Sequence, residues 1–183
     1  MQDITTAALD SSKEAVTLCI TMIGVMAFWT GIMEIASRAG IIQMAARKLR
    51  PLLRFLFPNL PEGHKAEEHI STNFIANFLG LGWAATPAGL RAMEELSKLE
   101  ECRRNNKVSN LARHRGVASN EMCTFLIINI SSLQLIPVNV IAYRSQYGSV
   151  NPAGIVGAGI VATAVSTGVA VIFCKIMDRR EKV

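Results

Sequence analysis

The stretch "NFLGLGWAATPAG", Asn77 to Gly89, decides how this chain is read. It lies inside a charge-free run, yet it holds three glycines and a proline, with Asn77 at its head and Asn73 just before it. A plain membrane helix has no need of these residues, and a soluble core would not collect them. Gly80 and Gly82 lack side chains, so either can take the left-handed turn that reverses a chain. Thr86 before Pro87 is a helix-start signal: threonine caps, and proline at the first helical position gives up an N–H that has no partner there anyway. The segment 70–90 therefore reads as a helix from about Glu68 to Leu79, a tip at "GLGWAA", and a second helix starting at Pro87.

The surroundings of this stretch set its environment. Half of the 183 residues are hydrophobic and 18% are charged, against roughly 25% in soluble domains. Four runs carry no charge in their interior: "AVTLCITMIGVMAFWTGIM" (15–33), "ISTNFIANFLGLGWAATPAGL" (70–90), "MCTFLIINISSLQLIPVNVIAY" (122–143) and "SQYGSVNPAGIVGAGIVATAVSTGVAVIFC" (145–174). About 20 apolar residues carry a helix across ~30 Å of hydrocarbon. A soluble helical bundle would show a polar face at 3.6-residue spacing, which the first and last runs lack. A cleaved signal peptide is disfavoured too, because the first run is long and the segment before it has three acids and one lysine.

Basic residues orient the chain. Six Lys/Arg fall between Arg38 and His69, seven between Arg91 and Glu121, and four after Cys174, so these segments hold seventeen of the nineteen. The positive-inside rule puts all three in the cytoplasm. A run between two cytoplasmic segments must enter and leave on one side, so 70–90 is expected to be a re-entrant hairpin. A single kinked spanning helix is the alternative, since membrane helices tolerate breaking residues whose backbone groups find other partners. The expected order is an extracytoplasmic segment 1–14, a spanning helix 15–35, a basic interfacial segment 38–69, the hairpin 70–90 and a charged loop 91–121. A broken spanning helix 122–143, a spanning helix 153–174 and a basic tail 175–183 complete it. The fold class is thus an all-α integral membrane protein, multi-pass in the cell membrane.

The break in 122–143 is the second unusual stretch. "NISSLQLIPVN", Asn129 to Asn139, sets polar groups and a proline near mid-membrane, where an unpaired polar group costs several kcal/mol. They either hydrogen-bond between helices, at about 1 kcal/mol each, or build a substrate site, as broken helices do in transporters. The candidate solute-binding residues are Asn77, Gly80, Gly82, Thr86, Asn129, Ser131, Ser132 and Gln134. Asn77, a Gly-rich turn and Pro87 are faintly echoed by Asn129, a Ser-rich turn and Pro137. In the last run, Ala153, Gly154, Gly157, Ala158 and Ala162 give small-xxx-small spacings suited to close helix packing.

Other chemistry is weakly signalled. The four cysteines form no C-x-x-C pair, and three lie in apolar runs, which suits reduced, unreactive thiols. "HKAEEH" (64–69) reads as a charged helix start rather than a metal site, since its histidines are five apart. Glu34 and Arg38 stand four apart, as a helix-edge ion pair would. "RPLLRFLF" (50–57) suits the inner leaflet surface, with its arginines at headgroups. The glycines at 154, 157 and 159 follow no strand and form no nucleotide loop. The basic loops mix many acids with few aromatics, so no nucleic-acid partner is expected. No catalytic residue, cofactor or metal is called for.

The stretches "NFIANFLGLGWAATPAGLRAMEEL" (73–96) and "SNEMCTFLIINISSLQLIPVNVIAYRSQYGSVNPAGIVG" (119–157) resemble the spore maturation protein A family of endospore-forming bacteria, and the likeness runs over essentially the whole chain. The resemblance implies a role in spore maturation, the dehydration of the spore core. It also implies a single Gate, or nucleoside recognition, unit of the kind that occurs twice in concentrative nucleoside transporters and ferrous iron transporters. There the unit is a re-entrant hairpin followed by a broken helix. A single unit implies a missing half, supplied by the companion spore maturation protein B or by a second copy in a homo-oligomer. The solute would be small and polar or anionic, with membrane lipid around the rest. A non-transporting membrane scaffold for sporulation is the alternative. Three departures stand out: Trp83 occupies the family's asparagine position at the tip and reads as a lid, Ile130 replaces a threonine-like residue, and a further hydrophobic segment commonly precedes the region matching Met1.

The hairpin makes a direct prediction. With the native cysteines replaced, single cysteines at Lys65 and Lys107 are expected to react with an impermeant maleimide from the same, cytoplasmic side. Reaction from opposite sides would establish the spanning alternative.

Overall fold

The computed structural model describes residues 2–80, 82–106, 112–131 and 134–180, and among these every regular element is helical. In order they are α1 (Gln2–Arg38), α2 (Ile41–Leu56), α3 (Lys65–Phe78), α4 (Gly82–Asn106), α5 (Asn120–Ile130), α6 (Val138–Gln146), a single 3-10 turn (Pro152–Gly154) and α7 (Ile155–Arg180).

α3 and α4 pair as a tight helical hairpin, and α2 and α5 pack on it. The core they share is small and aromatic at its centre. Leu53, Leu56 and Phe57 at the end of α2 meet Ile70 and Phe74 of α3, Leu96 of α4 and Phe125 and Ile128 of α5. Phe74 lies between Phe57 and Phe125, with ring centroids 6.5 Å and 6.2 Å away. The α2 segment therefore does not lie free on a surface. It sinks one face into the core while Arg50 and Arg54 pair with Glu67 and Glu62, both at 2.9 Å.

α1 and α7 behave differently. Both are long and apolar enough to cross a membrane by length and composition, and almost none of either apolar window is buried against the chain. Core helices of a soluble bundle would be mostly covered, since burial is what stabilises them. Here Val16, Ile20, Ile23 and Phe28 on α1 and Val161, Val165, Val169 and Phe173 on α7 are exposed. The expected Glu34–Arg38 pair is present at 2.8 Å.

Polar contacts collect at two ends. At one, Arg103 donates to the Asn59 carbonyl at 2.7 Å and to Glu121 at 3.0 Å, with Glu100 also in ion-pair range. Asn120 there donates to Asp178, and Lys175 donates to the Phe55 carbonyl. At the other, the Tyr147 hydroxyl donates to the Glu14 carboxylate at 2.5 Å, a bond that raises the phenol's pKa above its ordinary value.

The structure corrects two local readings. α4 begins at Gly82 rather than at Pro87, and Thr86 is not its cap: its hydroxyl donates back to the Gly82 carbonyl one turn earlier, at 3.0 Å. Pro87 sits inside the helix, where it removes the N–H that the Trp83 carbonyl would accept. The Asn73 amide enters at this weakened turn and donates to the Ala85 carbonyl at 2.9 Å, so tertiary contact supports what local propensity opposes. The segment 91–121 is likewise not all loop, because α4 continues to Asn106.

The turn between α3 and α4 fixes the whole arrangement. Gly80 has φ +75°, and a Cβ there would stand 1.9 Å from the Ile136 carbonyl oxygen. Gly63 has nearly the same φ, +73°, with nothing within 4 Å. Gly63→Ala should therefore cost only the left-handed strain, about 1 kcal/mol, while Gly80→Ala adds a backbone collision and should cost about 3 kcal/mol. Thermal unfolding of the two variants in detergent checks this, and equal losses would show that the close approach carries no stability.

Candidate functional site

The tip of the α3–α4 hairpin is inserted at the break between α5 and α6. α3 ends at Phe78, and helix C-termini leave carbonyls without intrahelical donors. The Leu135 N–H supplies one, donating to the Phe78 carbonyl at 3.2 Å. The break's own Gln134 carbonyl accepts from Thr163 of α7 at 3.1 Å. Each interruption thus saturates backbone that another element leaves open. Gly80 meets Ile136 here, and Gly82, the first residue of α4, lies beside the Gln134 amide, whose Nε2 is 3.8 Å from where a Cβ would be.

Behind the tip runs a chain of three amides. Asn73 Nδ2 donates to the Ala85 carbonyl, Asn77 Nδ2 donates to Asn73 Oδ1 at 3.2 Å and to Asn129 Oδ1 at 2.9 Å, and Asn129 Nδ2 donates to the Phe125 carbonyl at 2.8 Å. A carbonyl can only accept, so the two ends of this chain fix the orientation of all three amides. Asn77 is left with a free Oδ1: it has no hydrogen-bond donor among the described residues. Gly89 makes the chain possible, since a Cβ there would lie 2.9 Å from Asn73 Nδ2.

Of the residues singled out in sequence, Asn77, Gly80, Gly82, Asn129, Ser131 and Gln134 come together at this junction. Thr86 is exposed and bonded within its own helix. Ser132 and the side chain of Trp83 lie outside the described residues. Ser131 is occupied, donating to the Ile128 carbonyl at 2.6 Å and lying 3.2 Å from the Thr167 hydroxyl. The Gln134 side chain has no hydrogen-bond partner among the described residues.

Sequence reasoning passed over Asn73 as a site residue, together with Thr163 and Thr167 of α7. The helical spacing of Asn73 and Asn77, four apart, was a signal for the first. The threonines gave none, because their partners lie 29 and 36 residues away in sequence. His64 caps α3: its Nδ1 accepts from the Ala66 N–H at 3.2 Å. Among the described residues no group of three metal-ligating side chains gathers, and all four cysteines are free thiols.

The amide chain predicts measurable coupling. Asn77→Ala and Asn129→Ala should each destabilise by about 1 kcal/mol, and the double-mutant cycle should give a coupling of about 0.5 to 1.5 kcal/mol. Additive losses would mean that the two amides do not bond.

Neither a family model nor a solved structure matches the chain. A curated relative does: Spore maturation protein A of Bacillus subtilis (strain 168) is 40% identical over 182 residues, covering 100% of this chain and 87% of the relative. The match spans this chain from end to end, hairpin, break and closing helix included, and the chain belongs to the spore maturation protein A family.

Proposed function

We propose that this chain is a multi-pass membrane protein of spore maturation that acts as one half of a transporter-like assembly, holding a small polar or anionic solute between the hairpin tip and the broken helix. The observation that carries the reading is the seating of one helix interruption against another, with Leu135 N–H on the Phe78 carbonyl and Gly80 against Ile136. Broken helices facing each other are the means by which membrane transporters expose backbone groups to a solute without exposing them to lipid. The groups available to a solute are the Gln134 amide, Asn77 Oδ1 and the first-turn N–H groups of α4, whose partial positive charge favours an anion or a carbonyl.

The re-entrant topology is part of the same reading. Basic segments meet at one end through Arg103, Asp178 and Lys175, and Glu14 meets Tyr147 at the other, which suits cytoplasmic loops on one side and the N-terminus opposite. The second half would be the companion spore maturation protein B or another copy of this chain. The exposed small residues Gly157, Ala158 and Ala162 on α7 favour such a neighbour, because they let a helix approach closely.

A scaffold without transport has its own supporting observation. Asn73, Asn129 and Ser131 are engaged with other helices through the Ala85 carbonyl, Asn77 and Thr167, as packing residues would be. The two readings separate at the Gln134 side chain, which makes no hydrogen bond among the described residues. In the transporter-like reading, inorganic phosphate, succinate or uridine raises the melting temperature of the detergent-purified complex, and Gln134→Ala abolishes that rise while leaving the ligand-free melt unchanged. If no such solute shifts the melt while Gly80 variants lose the partner chain, the scaffold reading stands instead.

A further inference from the structure

A groove of about 500 Å³ runs along α7 beside the junction, between α2, α3 and α5. Its floor is Leu56, Phe74 and Ile128, all buried, and its rim includes Leu52, Ile160 and Ile172, all exposed, so the groove opens sideways rather than into a closed pocket. The hydroxyls in its wall, Thr163 and Thr167, are engaged with the Gln134 carbonyl and Ser131. With both hydroxyl protons used, the lining offers a polar solute no side-chain donor. An apolar chain, by contrast, meets an almost wholly hydrocarbon wall there.

Length and charge narrow the occupant. From Ile160 to Ile172 the groove follows α7 for about 18 Å at the helical rise of ~1.5 Å per residue, close to the ~15 Å depth of one leaflet. One turn past Ile172 on α7, beyond the groove's lining, Lys175 holds its ammonium 4.5 Å from the Phe55 ring centroid and donates to the Phe55 carbonyl, on the α2 turn that carries Leu52 and Leu56 of the groove. Nearby Asp178 accepts from Asn120. Lys175 has N–H donors to spare for a phosphate, and it lies at the basic end of the molecule.

We propose that this groove is a binding site for one acyl chain of an anionic phospholipid, whose headgroup sits at Lys175. The inference rests on the membrane reading above. The lipid would fill the space between α2 and α7 that the chain itself leaves open, and would tie the exposed helix α7 to the core.

Gly168 gives a clean test, because it lines the groove and a Cβ there meets nothing within 4 Å. The wild-type protein, purified in mild detergent, is incubated with equal amounts of phosphatidylglycerol and phosphatidylcholine of the same acyl chains and examined by native mass spectrometry. It should retain one phosphatidylglycerol in preference to phosphatidylcholine. Gly168→Leu should lower that retention roughly tenfold, the loss expected when about two methylenes are displaced. Lys175→Gln should abolish the preference between headgroups while leaving phosphatidylcholine retention unchanged. Equal retention of both lipids by the wild type, or undiminished retention by Gly168→Leu, overturns the site. A Gly168→Leu variant that splits a dimer without changing its lipid count overturns it too, and assigns the groove to a second copy. Alkaline carbonate extraction separates the deeper failure: a protein released by carbonate refutes the membrane reading itself, while one that stays in the membrane yet carries no specific lipid refutes the groove alone.

Discussion

A helix that stops inside an apolar environment leaves carbonyls and N–H groups that water cannot reach, and each must find a protein partner. Two of this chain's helices, α3 and α5, stop after Phe78 and Ile130, and the two interruptions are brought together. The Leu135 N–H covers the Phe78 carbonyl, and the Thr163 hydroxyl covers the Gln134 carbonyl. The approach is possible only because residue 80 has no side chain, since any Cβ would collide with the Ile136 carbonyl. The hairpin, the broken helix and the seating of α7 all follow from that one contact.

The amides behind the tip hold the hairpin against the break. Asn73, Asn77 and Asn129 form a directional chain between two backbone carbonyls, and it links α3, α4 and α5 across 52 residues of sequence. Amides suit this place better than carboxylates, because they donate as well as accept and bring no buried charge. The chain also divides the polar residues by role. Asn129 and Ser131 hold helices together, while Gln134 and Asn77 Oδ1 keep capacity for something else.

Charge is handled at a distance from the junction. Arg103 is almost covered, yet it bridges the Asn59 carbonyl and Glu121 and lies 3.6 Å from Glu100, so the ions at that end are buried as a network rather than singly. Breaking one member would leave another charge unpaired, which is why such clusters resist substitution even where they add little net stability. With the ions gathered there, the middle of the molecule is left to apolar side chains and neutral amides. α1 and α7, exposed along their apolar lengths, then suit lipid or a neighbouring chain.

The sequence alone determined what depends on neighbours a few residues apart. The lengths of the apolar runs, the reversal at Gly80, the interruption after Asn129 and the Glu34–Arg38 pair all follow from local spacing, backbone freedom and the absence of charge. The tertiary structure decided what depends on distant partners. Thr86 and Pro87 carry a helix-start signal, but the helix begins at Gly82 because Asn73, on another helix, reaches the Ala85 carbonyl beside Gly89. Thr163 and Thr167 look like filler in an apolar run until the break lies against them. Local chemistry sets where a chain can bend; which groups remain free at the bend is settled only when the other helices arrive.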